Sequence, residues 1–325
     1  MEPTIYFVIP CYNEEAVLPE TTRRLAEKLQ AMQSAGLIGK DSRVLYVDDG
    51  SKDKTWQLIS QFHQEYPWVE GVKLAHNRGH QNALLCGLMT AKDRCHAAIS
   101  MDADLQDDID ALDQFVTKFR EGCDVVYGVR NKRDTDTWFK RTTAEGFYKV
   151  MHLLGVDVVF NHADYRLMSQ RALEALSEYR EENLFLRGIV PLIGYRSDTV
   201  YYDRHERFAG ESKYPLKKMI SFALDGITSF SVKPLKLISN LGILISVLSI
   251  FGLLYALISH LCGVTVAGWT AIVASIWLLG GLQMLCLGVV GGYIGKIYSE
   301  VKQRPRFLIE THLKAEPEEK VLDEH

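Results

Sequence analysis

Two aspartates stand two residues apart in the run Ser100-Met101-Asp102-Ala103-Asp104-Leu105-Gln106-Asp107. A mostly apolar stretch, His96 to Met101, precedes them and reads as a buried strand, and Asp110 to Arg120 after them reads as a helix. Carboxylates so spaced at the end of a strand can both reach one divalent cation. Gln106 continues the alternation with a third oxygen. Hard cations such as Mg²⁺ take oxygen ligands and commonly bind through one or two carboxylates plus a substrate's phosphates. The plainer alternative is an acidic turn whose aspartates cap the following helix.

Two more polar clusters follow strand-like runs. Thr4 to Ile9 is apolar and rich in β-formers, ends at Pro10, and leads into Cys11-Tyr12-Asn13-Glu14-Glu15. Arg43 to Val47 is followed at once by Asp48-Asp49-Gly50-Ser51. Between them Leu18, Leu25, Leu29 and Met32 recur at helical spacing, which predicts an amphipathic helix from Glu20 to Ser34. Trp56, Ile59 and Phe62 mark a second helix, stopped by Pro67. Gly71 to Leu74 is a third strand, His76-Asn77-Arg78-Gly79-His80 a loop, Gln81 to Ala91 a helix, and Val125 to Val129 a further apolar run. Strands alternating with helices predict a mostly parallel α/β sheet covered on both faces. In such sheets ligands sit outside the carboxyl ends of the strands. The clusters Tyr12–Glu15, Asp48–Ser51 and Asp102–Gln106 should therefore converge on one crevice.

Beyond this the charges have competing explanations. Arg130, Lys132, Arg133, Lys140 and Arg141 make either a solvated loop or a segment facing phosphate. Asp164, between apolar stretches, could pair with Arg166, cap a helix starting near Ser169, or serve as an active-site carboxylate. Leu184 to Gly194 is apolar with Arg187 inside it, and Arg204 to Tyr214 is a polar loop. Pro215 opens a helix with Leu216, Met219, Ile220, Ala223, Leu224, Ile227 and Phe230 on one apolar face and Lys217 and Lys218 near its start. That pattern suits a helix lying in a membrane interface, although a core-packed helix would look similar.

The formal charge of −4 over 325 residues gives no basic signature, so nucleic acid is not an expected partner. The six cysteines are scattered without a C-x-x-C pair, so neither zinc nor a disulfide framework is indicated and reduced thiols are expected. The N-terminus shows no basic region followed by a secretory apolar core. A mean hydropathy of −0.05 hides a split, because Leu237 through Gly295 contains no Asp, Glu, Lys or Arg. Within it, Leu237 to His260 and Trp269 to Ile294 are each long enough to cross a hydrocarbon core, which takes about 20 apolar residues. Lys233 and Lys236 precede the first, Lys296, Lys302, Arg304 and Arg306 follow the second, and the link between them is uncharged. The positive-inside rule then predicts a multi-pass hairpin with both termini cytosolic. His260 is expected at the interface, not in catalysis. Gly280, Gly281, Gly288, Gly291 and Gly292 would allow close helix packing, and a homo-oligomer is expected. The tail after Arg306 is expected to be mobile. The domains so drawn are a catalytic part over 1–214, a juxtamembrane helix over 215–234, a membrane hairpin over 235–295 and a tail over 296–325.

The motifs V-I-P-C-Y-N-E-E (Val8–Glu15), V-D-D-G-S-K-D (Val47–Asp53), N-R-G-H-Q-N-A (Asn77–Ala83) and M-D-A-D-L-Q-D (Met101–Asp107) resemble the series of family 2 glycosyltransferases with the GT-A fold. A-D-Y-R-L-M-S (Ala163–Ser169), R-F-A-G-E-S-K-Y (Arg207–Tyr214) and the hairpin resemble, more narrowly, bacterial polyisoprenyl-phosphate glycosyltransferases, relatives of dolichyl-phosphate mannose synthase. The resemblance implies a nucleotide-sugar donor held by Pro10, Tyr12, Glu14, Asp48, Asp49, Arg78 and Asp102. It implies Mg²⁺ or Mn²⁺ on Asp102, Asp104 and Gln106, and Asp164 with Arg166 at the reacting centre. Arg130, Arg207, Ser212 and Lys213 would meet acceptor phosphate or leaving diphosphate. The acceptor implied is a polyprenyl phosphate at the cytosolic face of a bacterial plasma membrane, taking one sugar with inversion. UDP-glucose is the expected donor, with GDP-mannose or a non-lipid acceptor as the alternative. No Q-x-x-R-W occurs, which speaks against a processive polymerase. A nucleotidyltransferase on the same fold and a membrane-tethered binding protein are the readings from other classes. The hairpin counts against the former, and the D-x-D with Asp164 against the latter.

Overall fold

A computed structural model describes residues 2–130, 162–181, 185–203, 233–262 and 268–315. In chain order the helices and strands are β1 (Ile5–Cys11), α1 (Leu18–Ser34), β2 (Arg43–Asp48), α2 (Thr55–Glu65), β3 (Val69–Leu74), α3 (His80–Ala91), β4 (Ala97–Ser100), α4 (Leu112–Arg120), β5 (Val125–Arg130), β6 (His162–Ser169), α5 (Gln170–Ser177), α6 (Leu186–Leu192), β7 (Ser197–Tyr202), α7 (Lys233–Leu261), α8 (Trp269–Lys302) and β8 (Ile309–Leu313). They divide into two compact units. One holds the sheet and comprises Met1–Arg141, Val159–Lys213 and Arg304–His325; the other, Thr142–Val158 and Tyr214–Gln303, contains α7 and α8.

The eight strands form one sheet in the order β7-β5-β6-β4-β1-β2-β3-β8. The centre, β4-β1-β2-β3, is parallel, as the strand–helix alternation requires. β1 is buried along its whole length, which explains its continuous apolar run. It continues through Pro10 to Cys11, beyond the expected end at Ile9; Pro10 lies past Val8↔Ser100, the last pair with β4. α1 buries Leu18, Leu25, Leu29 and Met32, the stripe expected from spacing. α3 packs hard on β1 and β2, and Gly87 makes this possible: a Cβ there would lie 2.3 Å from Val8 Cγ1 and 2.8 Å from Val47 Cγ2.

Three features depart from the sequence-based expectation. β6 enters between β4 and β5 and runs antiparallel to both. β7 closes one edge. The part of the tail that is described, up to residue 315, is not loose: β8 pairs antiparallel with β3, the Ala75 amide donates to the Leu308 carbonyl at 2.9 Å, and Arg306 Nη2 donates to the Tyr179 carbonyl at 2.7 Å. A short β-capable run, Leu308 to Leu313, was masked by the charged composition around it.

In the second unit α7 and α8 have 29 and 34 residues. Among the described residues, Leu278–Lys302 is long and apolar enough to cross a membrane. The amphipathic helix expected over 215–234 lies mostly outside the described residues. Of the six cysteines, Cys11, Cys86, Cys95 and Cys123 are buried and Cys262 is exposed. Burial pushes the Cys86 and Cys95 thiols up to about 12, and Cys11 well above its ordinary value.

Candidate active site

The ends of β4, β1 and β2 lie side by side, because these strands are parallel neighbours with Cys11 opposite Asp48 and Val8 opposite Ser100. The loops leaving β1 and β2 are stitched together. The Asn13 amide donates to Ser51 Oγ at 3.0 Å, the Glu14 amide to Thr55 Oγ1 at 2.9 Å, and the Lys52 amide to Asn13 Oδ1 at 2.9 Å. Pro10 is buried beneath this junction, Tyr12 is 43% exposed on it, and Glu14 is partly exposed.

Asp48 and Asp49, alike in sequence, do different work. Asp49 accepts the Arg78 amide on Oδ1 at 2.7 Å and the Gly79 amide on Oδ2 at 2.9 Å. Both oxygens therefore fix the loop before α3, and the Arg78 side chain is displayed to solvent by that loop. Asp48 is fully buried; its Oδ1 accepts the Ser51 amide at 3.2 Å, and its Oδ2 has no hydrogen-bond partner. Burial raises the pKa of both. Gly50 turns the chain at φ 69, where a Cβ would meet the Asn77 amide nitrogen at 2.7 Å.

Asp102 follows β4 with 37% of its side chain exposed. Its partial enclosure, reinforced by Asp107, Asp164 and Asp104 and opposed by His80, raises its pKa above the usual carboxylate value. Asp104 is 8% exposed and its Oδ1 accepts the Gln106 amide at 3.1 Å. The turn between them holds Leu105 at φ 58, a left-handed conformation that costs a leucine energy. Thr21 Oγ1 donates to the Ala103 carbonyl at 2.8 Å and ties the turn to α1. Among the described residues no three His, Cys, Asp or Glu side chains group so as to hold a metal ion by themselves.

Asp164 joins them because β6 is antiparallel. With Arg166 opposite Ser100, the residue two before it lies beyond the carboxyl end of β4. Its Oδ1 accepts Arg166 Nη2 at 2.7 Å and Arg187 Nε at 3.2 Å, and its Oδ2 accepts Arg187 Nη2 at 3.1 Å. Burial opposes ionisation of Asp164, but Arg187 and Arg166 outweigh it and hold the carboxyl well below the usual carboxylate range. His80 Nε2 stands between the two carboxylates, 3.6 Å from Asp102 Oδ1 and 3.7 Å from Asp164 Oδ2.

Arg166 itself is 1% exposed and also donates to the Leu186 carbonyl at 3.2 Å. So enclosed, it braces Asp164 and is hidden from solvent. Arg130, at the end of β5, contacts Asp107 Oδ1 at 3.3 Å and Tyr202 Oη at 3.2 Å, and Tyr202 Oη donates to Asp107 Oδ1 at 2.6 Å. Arg207, Ser212 and Lys213 lie outside the described residues. His80, Arg187, Asp107 and Tyr202, which stand against or bond the residues expected at the site, are not among those expected from sequence. The available signals were a histidine at the first position of a helix and a single charge inside an apolar run.

Residues 6–177, more than half the chain and including Asp48, Asp102 and Asp164, match the model of glycosyl transferase family 2. The chain belongs to this family. The sheet of this glycosyltransferase is the α/β, mostly parallel arrangement of the GT-A type. The uncharacterised glycosyltransferase YkoT of Bacillus subtilis is 54% identical over 96% of this chain and 93% of its own length. A prophage bactoprenol glucosyl transferase homolog of Escherichia coli is 36% identical over 94% of this chain and 98% of its own. The bactoprenol glucosyl transferase of Shigella phage SfII is 36% identical over 96% and 99%.

Proposed function

We propose that this glycosyltransferase moves one sugar from a nucleotide-sugar donor to a polyprenyl phosphate at the cytosolic face of a bacterial plasma membrane. UDP-glucose is the donor we favour. The observation that carries the proposal is the gathering of Asp48, Asp102 and Asp164, from β2, β4 and β6, at the end of the sheet where β4, β1 and β2 finish. The names of relatives matched over nearly their whole length, bactoprenol glucosyl transferases, support a lipid-phosphate acceptor and a glucose donor.

Each part has a physical rationale. The orphaned Oδ2 of Asp48 is a buried acceptor that a nucleotide's N–H or hydroxyl would satisfy. Tyr12, exposed beside it, offers a face for the base, and Glu14 and Arg78 line the same junction. Asp102 and Asp104, with Gln106 nearby, form an all-oxygen set of two carboxylates. That set fits Mg²⁺ or Mn²⁺ completed by a diphosphate and water better than it fits a closed protein cage. A cation there would neutralise charge developing on the leaving diphosphate. The acceptor oxygen is already anionic, so the chain must align it in line with the anomeric carbon, and direct displacement inverts that centre. Arg130 and the Arg207–Lys213 segment are candidates for holding phosphate.

The long helices would bring the site to the lipid. Ile272, Ile276, Leu278, Met284 and Leu287 on α8 are each more than 60% exposed, a surface suited to hydrocarbon. We assign α7 and α8 to a two-span hairpin with both termini cytosolic, and the glycines of α8 to packing in a homo-oligomer.

The test is a panel of nucleotide sugars offered to membranes containing the protein, with polyprenyl phosphate and with Mg²⁺, Mn²⁺ or chelator. The expected result is a lipid-extractable, inverted, singly glycosylated product formed from UDP-glucose and abolished by chelation. Product from GDP-mannose would replace the donor, and transfer only to a water-soluble acceptor would overturn the proposal.

A further inference from the structure

The surroundings of Asp164 argue against proton transfer. Both of its oxygens accept guanidinium N–H bonds, at 2.7, 3.2 and 3.1 Å, and its carboxyl is held ionised. A general base needs an oxygen open to the proton it takes, within hydrogen-bond reach of the substrate. Here both oxygens already hold cations. The two arginines are not equivalent. Arg166 is 2% exposed in its side chain, locked between Asp164 and the Leu186 carbonyl. Arg187 is 34% exposed, and it meets Asp164 through Nε and Nη2 in a side-on fork. α6, which carries it, is joined to the start of α3 by the Leu186 amide donating to Gln81 Oε1 at 3.2 Å. His80, one residue before Gln81, touches both Asp164 and Asp102.

We propose that Arg187 is the cation that receives the acceptor's phosphate, and that Asp164 is the positioning residue that aims it. This rests on the lipid-phosphate acceptor proposed above. A guanidinium held by a carboxylate along one edge keeps a fixed plane, and planar donors in fixed geometry suit phosphate oxygens. The pairing of β6 with β4 then sets this cation, through Asp164, beside the carboxylates at the end of β4. In the step itself a lone pair on the acceptor's phosphate oxygen forms the bond to the anomeric carbon. The bond from that carbon to the donor's diphosphate breaks, and its electron pair leaves on the nucleoside diphosphate. No proton is removed from the acceptor, so Asp164 has none to take.

The test is a double-mutant cycle on the full-length protein in detergent, with polyprenyl phosphate varied at saturating donor. Arg187→Ala should lower kcat/KM for the acceptor roughly a hundredfold, the size seen when one charge-stabilising donor is removed. UDP affinity by calorimetry should not change. Arg187→Lys, which keeps charge but loses the fork, should fall between. Asp164→Asn should also lose activity, yet the double variant Asp164→Asn/Arg187→Ala should be no worse than Arg187→Ala alone, since one residue acts through the other. Losses that multiply would overturn the proposal, as would wild-type acceptor kinetics in Arg187→Ala or a loss confined to UDP affinity. If Arg187→Ala does not fold by circular dichroism, Arg187→Lys decides: acceptor kinetics equal to wild type overturn the proposal. A wild-type protein inactive on polyprenyl phosphate overturns the acceptor assignment and this proposal together, whereas an active wild type beside an unaffected Arg187→Ala overturns this proposal alone.

Discussion

Replacing Asp48 by asparagine should weaken nucleotide binding without weakening the fold. Oδ1 of Asp48 accepts the Ser51 amide at 3.2 Å and asparagine can keep that bond. Oδ2, buried and without a partner, becomes an NH₂ that cannot accept. If a nucleotide N–H or hydroxyl binds there, the exchange removes a hydrogen bond to a charged acceptor, worth about 1.5–3 kcal/mol. That is roughly a ten- to hundredfold rise in the dissociation constant for UDP. Stability should move the other way. Burial raises the Asp48 pKa above its unfolded value. A raised carboxyl pKa favours the fold fully below the unfolded value, and the advantage is lost as pH rises through the folded value. At pH 7 the wild type therefore carries a penalty that asparagine lacks, and acidification removes the penalty from the wild type. Asp48→Asn should melt no lower than wild type at pH 7, and its margin should shrink toward pH 4. Calorimetric titration with UDP and thermal melts at the two pH values test both halves. UDP affinity equal to wild type, or a variant that melts well below it at pH 7, would refute the reasoning.

Other perturbations address other parts of the molecule. Asp104→Ala should abolish divalent-dependent transfer while circular dichroism stays native; full activity would remove the metal assignment. Gly87→Ala forces a methyl to 2.3 Å from Val8 Cγ1, and such overpacking costs about 1–3 kcal/mol, so denaturant melts should shift to lower midpoints with slope unchanged. Arg94→Ala strips the two 2.6 Å bonds that compensate Glu70, which is fully buried. Breaking such a pair costs about 3–5 kcal/mol, discounted here because Arg94 is a third exposed, and a melt within a degree of wild type would contradict it. Truncation before Phe307 should expose the β3 edge and promote aggregation, measured by light scattering.

The centre of the sheet was legible because parallel strands leave two independent marks, apolar runs and polar clusters at their carboxyl ends. Convergence of the loops after β1, β2 and β4 followed from topology alone. Asp164 was ambiguous because strand direction leaves no mark in a single sequence. Only the antiparallel course of β6 carries that residue past the end of β4. Asp48 and Asp49 could not be told apart, since what separates them is a pair of amides at Arg78 and Gly79, some thirty positions away. Arg166 and Arg187 could not be ranked by exposure from sequence for a related reason. The motif draws attention to the one that is enclosed, and the apolar run around the other gives no sign that its side chain is the more exposed.

The distribution of thiols gives the chain a reporter of its own. Protonated, enclosed sulfhydryls react slowly with electrophiles, and that describes Cys11, Cys86 and Cys95 in the sheet unit. Cys262 is instead exposed, just after the last residue of α7. A bilayer-impermeant maleimide added to intact cells would reach it if α7 and α8 both cross, and only after lysis if that connection stays on the cytosolic side. No engineered label is needed to decide between those two arrangements.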